Sequence, residues 1–296
     1  MSKYRSWVLP FAIVAGIFLH EYLSMLNVLI PYLIFSILLL NFSSFSLNRL
    51  RVSGMDMIFM AFQIVVSMGL YLLFRPLGEV FAQGLLVGVL CPVAASVAAV
   101  ACILGADLER VTTYTLMGNL MVAVVAPIYF SFVGNNVDMP FFESFGLILS
   151  KIFPIIVLPM LINIVLRQIL PQVNQFLIRS RKLSFYLWAL ALMITIGKTI
   201  GFIFTNGSSH PTLIIELSLA SAIICAVQFW IGKKVGKRYG DQVAGGQNLG
   251  QRNSAMGIWL AYTYLDPLSS IFPAAYSIWQ NLYNSYQLYA HDKKSK

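Results

Sequence analysis

The chain has 296 residues, 58% of them hydrophobic and 10% charged, with mean hydropathy +0.78 and a formal net charge of +9. Soluble globular chains carry roughly 25% charged residues, so the composition excludes a soluble domain and points to an integral membrane protein whose first partner is the lipid bilayer. The apolar runs are continuous instead of alternating, which excludes a closed barrel. The basic residues sit in short loops, so the positive charge has a topological cause and nucleic acid is excluded as a partner.

About 20 residues cross a hydrocarbon core as a helix. Apolar runs between polar breaks predict spans over residues 7–24, 27–46, 55–74, 79–105, 110–133, 143–168, 183–204, 212–231 and 268–289. The first follows Lys3 and Arg5, as a signal peptide would. It runs on to His20 and Glu21 without a small-residue cleavage site, so it reads as a retained helix. Cys91, Cys102 and Cys225 all fall in apolar runs and imply no disulfide framework. Between the eighth and last runs lies "VAGGQNLGQRNSAMG", residues 243–257, which carries Arg252 and which hydropathy alone leaves as a loop.

Charge decides the count. If the N-terminus is cytoplasmic and residues 243–265 also cross, sixteen of the twenty basic residues lie inside. Arg75 alone lies outside, and Lys151, Lys198 and Arg252 fall within spans. Nine crossings would move the tail "HDKKSK" outside, against the positive-inside rule. The expectation is therefore an all-α integral membrane protein of ten transmembrane helices with both termini cytoplasmic, in an inner or plasma membrane.

Ten spans divide into residues 1–134 and 135–296, joined at "GNNVDMP". An odd number of spans per half inverts the second half relative to the first, which is a transporter architecture. The fourth span of each half is interrupted, by "GVLCPVAAS" (Gly88 to Ser96) and by "GGQNLGQRN" (Gly245 to Asn253). Proline removes a backbone donor and glycine loosens the ladder, so both helices are expected to break near the midplane. Such breaks are tolerated only where protein or a water-filled cavity surrounds them.

"GLLVGVLCPVAAS" followed by "GAD", "GQRNSAMG" in the ninth span and "FPAAYSIWQN" in the tenth together resemble the bile acid:sodium symporter family over all ten spans. The resemblance implies two inverted five-helix repeats with helices 4 and 9 unwound and crossing. Spans 3–5 and 8–10 would form a core domain, spans 1, 2, 6 and 7 a panel domain. Sodium ions and an organic anion would sit around the crossing, in a fold compatible with a monomer. The anion's head group would lie at Ala95, Ser96, Arg252, Asn253 and Ser254, with Gln280 and Asn281 against its body. The sodium-site positions fall on Gln63, Val97, Ala98, Val111, Thr115, Asn248, Leu249, Gln251 and Arg252. The family's ninth-helix acid is Asn248 here and its glutamine is Arg252, while a fourth-helix Ser-Asn pair is Val97 and Ala98.

Sodium is a hard cation that needs several oxygens, and the first site keeps few. In the second, a fixed guanidinium about 4 Å from an ion would be repelled by roughly 4 kcal/mol at an effective dielectric of 20. One glutamate with two sodium ions carries +1; Arg252 with neither also carries +1. Arg252 is thus expected to replace the bound cation, held by broken-helix carbonyls, Asn253 and Gln251, or else to reach a cytoplasmic surface. The cargo is expected to be an organic anion, bile-acid-like or a small carboxylate, because helix N-termini and a guanidinium suit a carboxylate. Neither a further cofactor nor an enzymatic role is expected: His20, His210 and His291 lie near interfaces and no two acids share a mid-span layer. Two alternatives stand beside the carrier: a substrate sensor on the same scaffold, and a metalloid carrier using Cys91, since a distant arsenite efflux family uses a fourth-helix cysteine. Lys151, Lys198 and Glu216 read as interfacial residues. Asn119 and Asn163 read as mid-span hydrogen-bonding groups.

Overall fold

A computed structural model describes residues 5–43, 50–94, 97–134, 140–206 and 210–294. They are helical throughout, with one isolated β-bridge and no strand. Six helices are long and apolar enough to cross a membrane: Met25–Phe42, Gly54–Leu77, Leu108–Val133, Ile152–Ile169, Leu183–Gly201 and Pro211–Arg238. The chain is an all-helical, multi-pass membrane protein. Ala95 and Ser96, most of the expected join at 134–140, and the side chains of Cys102 and Lys151 lie outside the described residues.

In chain order the helices are α1 (Arg5–Phe18), α2 (His20–Met25), α3 (Ile30–Phe42), α4 (Gly54–Phe74), α5 (Glu79–Leu90), α6 (Val97–Ile103), α7 (Leu108–Val133), α8 (Phe141–Ile169), α9 (Pro171–Ser180), α10 (Leu183–Asn206), α11 (Pro211–Arg238), α12 (Gln242–Gly250), α13 (Ser254–Tyr264) and α14 (Ile271–Lys294). Among the described residues three 3-10 turns, Leu26–Leu29, Arg75–Leu77 and Pro267–Ser270, lie between them. The expected break over Gly88 to Ser96 is narrower than its sequence window, because helix continues through Leu90. The second is narrower still, confined to Gln251, Arg252 and Asn253. The first run is split: a turn at Leu19 separates α1 from α2, so His20 begins a helix and stacks on Phe204. The short helix α9 escaped the hydropathy reading because it mixes Val173, Phe176 and Ile178 with polar residues.

Two groups of helices emerge from the packing. α1, α2 and α3 pack on α10, and α8 packs on α3, while α4 to α7 and α11 to α14 pack among themselves; α8 against α7 and α13 against α10 join the two groups. Capping residues fix where the second group starts. Asp107 accepts from the Glu109 N–H at 2.9 Å, and Asp241 accepts from the Ala244 N–H at 2.7 Å. The other Asp241 oxygen accepts from the Asp107 N–H at 2.8 Å, tying the starts of α7 and α12 together. Gly105 and Gly240, at φ of 82° and 80°, supply the left-handed turns that lead into these caps.

The tightest helix pair is α11 with α12, where a Cβ on Gly245 would lie 2.3 Å from the Gly232 carbonyl oxygen. Small residues permit this approach of backbones. Overpacking costs about 1–3 kcal/mol where the neighbours can shift, and here the neighbours are backbone. Gly245→Val is therefore expected to lower the unfolding midpoint of detergent-solubilised protein clearly. Gly69→Ala, whose Cβ meets nothing within 4 Å, should leave the midpoint unchanged or slightly raised.

Candidate functional site

Pro92 cannot donate a backbone hydrogen bond, so α5 ends at Leu90 and leaves carbonyls without helical partners. The second break contains no proline. Its backbone is held by the first: the Ala94 N–H donates to Gln251 O at 3.3 Å, and the Asn253 N–H donates to Pro92 O at 2.8 Å. These two bonds form the one bridge, between Val93 and Arg252. The interruptions in the two halves therefore pair directly.

The remaining groups of the second break also find partners. Tyr276 Oη donates to Gly250 O at 2.8 Å. Gln280 grips the Arg252 peptide from both sides, accepting from its N–H at 2.8 Å and donating to its carbonyl at 3.0 Å. The Asn253 carbonyl accepts from Cys91 Sγ at 2.9 Å, and the Asn253 side chain caps α13 by accepting from the Met256 N–H. Buried backbone groups left unpaired are costly, so this set of contacts makes an interrupted helix tolerable in an apolar bundle.

Arg252 is 1% exposed and is the largest fully buried side chain among the described residues. Its Nη2 donates to Leu249 O at 2.7 Å, its Nη1 to Cys91 O at 3.2 Å and its Nε to Gln228 Oε1 at 3.0 Å. One guanidinium thus joins carbonyls of both breaks. The Tyr114 hydroxyl also faces it. Among the described residues no carboxylate pairs with Arg252; the ion pairs there are Arg51 with Glu109, Arg75 with Glu79 and Arg110 with Asp107. The charge is carried by neutral dipoles alone.

Of the positions assigned to sodium by resemblance, Gln63 lies at the crossing: its Nε2 faces the carbonyls of Val89, Leu90 and Cys91, the last at 3.1 Å, and its Oε1 accepts from Tyr114 Oη at 2.6 Å. Val97, Val111 and Leu249 gather in one apolar cluster, with Ala98 packed against it. Thr115 Oγ1 donates to Val111 O at 2.8 Å. Asn248 is fully buried with neither amide atom hydrogen-bonded. Gln251 Nε2 donates to Gln247 Oε1. Of the partners expected for the arginine, the broken-helix carbonyls serve, and Gln228 joins them.

Gln280 is spent on the break, adding a bond to Ser254 Oγ at 3.3 Å, and Asn281 Nδ2 donates within its own helix, to Ser277 O. Lys198 Nζ sits 3.7 Å over the Tyr262 ring and Glu216 is exposed. Asn163 joins α8 to α3 through Leu39 O, whereas Asn119 bonds Thr115 O within α7. Sequence reasoning missed Gln228, whose Oε1 accepts from both Arg252 and Tyr276 Oη. A lone amide inside the apolar run 212–231 was the available signal. No protein-family model matches the chain, and no curated protein matches it.

Leaving a buried donor without its acceptor costs about 1–3 kcal/mol, and more when the donor is charged. Gln228→Leu keeps the bulk but strands the Arg252 Nε–H, so its unfolding midpoint should fall by several degrees. Gln228→Glu keeps both acceptors and should melt at or above the wild-type midpoint.

Proposed function

We propose that this protein is a secondary transporter of an organic anion, working by alternating access in a fold like that of bile acid:sodium symporters. Ten spans form two inverted repeats, residues 1–134 and 135–296, with α5/α6 and α12/α13 as the crossing broken helices. Supporting this reading are the equivalent placement of the two breaks and their direct backbone pairing. The membrane is the inner or plasma membrane, with both termini cytoplasmic, in keeping with the loop charges.

The observation that carries the mechanism is the guanidinium on Leu249 O and Cys91 O. Those are the oxygens a desolvated cation would seek at this place. The apolar cluster of Val97, Val111 and Leu249 offers sodium no side-chain oxygen. Arg252 therefore acts as the resident cation: it supplies permanently the positive charge that draws an anion to the starts of the half-helices. Coupling to sodium is unnecessary in this scheme. Cys91 is buried with its thiol committed to Asn253 O, which favours a packing role over metalloid carriage.

Substrate counterflow in proteoliposomes, with taurocholate, pyruvate and 2-hydroxyisovalerate as probes, tests this. At least one should exchange, at a rate changed less than twofold when sodium is replaced by choline. Gln228→Glu, which folds but cancels the buried charge, should lose exchange at least tenfold. Exchange that collapses in choline, or a fully active Gln228→Glu, contradicts the resident-cation mechanism. Binding of a probe without counterflow would make the protein a sensor.

A further inference from the structure

Helix α9 joins two spans, Ile152–Ile169 and Leu183–Gly201, and its own ten residues are too few to cross a bilayer. Tied to a span at each end, it lies at the membrane boundary, where it packs on α8 and α3. Its residues sort onto three faces. Asn174 is buried against the protein. Gln172, Gln175 and Arg179, spaced three and four apart, make one exposed strip. Val173 and Phe176, three apart and 41% and 66% exposed, make a second strip roughly a quarter turn round the helix from the first. One side on protein, one side polar and one side apolar is the pattern of a helix lying in the plane of a membrane surface, where the apolar side enters the acyl boundary and the polar side faces water.

Charge is the second observation. Arg167 stands in the last turn of α8, Arg179 in the last turn of α9, and Arg181 and Lys182 follow it, whereas no Asp or Glu occurs from residue 144 to residue 215. Arg167, Arg179 and Lys182 are exposed. Arg179 and Lys182 take part in no ion pair among the described residues. Topology accounts for the sign of this link. It does not call for an apolar strip beside the cations, and a surface helix that grips anionic lipid has both. We infer that α9 is a lipid-binding helix: it lies in the membrane surface with Val173 and Phe176 among the acyl chains, while Arg167, Arg179 and Lys182 hold the phosphate of an anionic phospholipid. The partner is thus a phosphodiester headgroup with net negative charge. A lipid held there pins α8 and α3 to the bilayer surface. The site stands whether or not the chain carries an organic anion.

Two measurements on the purified full-length protein test this. The first is native mass spectrometry during titration with phosphatidylglycerol or with phosphatidylcholine of the same acyl chains. Wild type should prefer phosphatidylglycerol about tenfold, because clustered cations at a membrane surface attract anionic headgroups. Arg167→Gln/Arg179→Gln/Lys182→Gln should bring the two lipids to within about twofold, and Arg167→Lys/Arg179→Lys/Lys182→Arg, which keeps the charges, should keep the preference. Lys237→Gln/Arg238→Gln, at the exposed end of α11, should leave it unchanged. Glycerol 3-phosphate should not compete; competition would make this a site for soluble phosphate and overturn the assignment to lipid. The second measurement places nitroxide labels on Phe176→Cys and Gln175→Cys in phosphatidylglycerol vesicles, in a Cys102→Ser background with Cys91 and Cys225 buried. The label on Phe176→Cys should collide mainly with oxygen, and that on Gln175→Cys mainly with a water-soluble nickel chelate. The inference is overturned by equal exposure of both labels to the chelate, by equal binding of the two lipids to wild type, or by a preference that survives the triple glutamine substitution. Spin–spin broadening of the Phe176→Cys label would overturn it too, by putting a second copy of the chain on the apolar strip.

Discussion

An interrupted helix inside an apolar bundle leaves backbone donors and acceptors that water cannot reach, and the protein must satisfy each of them. In this chain two interruptions meet and solve much of the problem for each other, through Ala94 to Gln251 and Asn253 to Pro92. The rest falls to side chains: Gln280 on the Arg252 peptide, Gln63 on the carbonyls before Pro92, Tyr276 on Gly250, and the Arg252 guanidinium on both breaks at once. The positions of α5, α6, α12 and α13 all depend on this knot of contacts. Gln228, Gln280 and Gln63 each come from a different helix, so the knot also fixes α11, α14 and α4 around it.

Burying a full positive charge among dipoles is expensive. Insertion scales put an arginine at a helix centre at roughly 2.5–3.5 kcal/mol, and among the described residues no carboxylate pairs with it to lower that figure. A structural staple would not need the charge: a neutral side chain with the same donors would hold the carbonyls at lower cost. Retaining a guanidinium with no acid beside it makes sense where an anion arrives later and completes the pair. The same logic extends to Asn248, whose buried amide carries no charge where the resemblance would place an acid. On the proposed reading, Asn248 and Arg252 together keep the local charge positive without a bound ion.

The spans could be read from sequence because a continuously apolar run has few alternatives to a membrane helix, and Pro92 marked the first break directly. The second break was visible only by setting the two halves side by side, since glycines and amides alone do not say where a helix stops. Its true extent, three residues, is set by pairing with Pro92 and Ala94, which is a tertiary fact. For the same reason the carbonyl partners of Arg252 were legible in the sequence while Gln228 was not. Asn253 and Gln251 are neighbours in sequence, whereas Gln228 comes from α11. Helix α9 went unseen because its apolar residues are too few and too interspersed to stand out from a loop.

Whether the guanidinium truly stands where a cation would otherwise bind is open to one direct measurement: equilibrium binding of 22Na+ to the purified protein by scintillation proximity. The account predicts no saturable sodium binding across the millimolar range, because Leu249 O and Cys91 O are already taken. Saturable binding of one or more sodium ions per chain would contradict it.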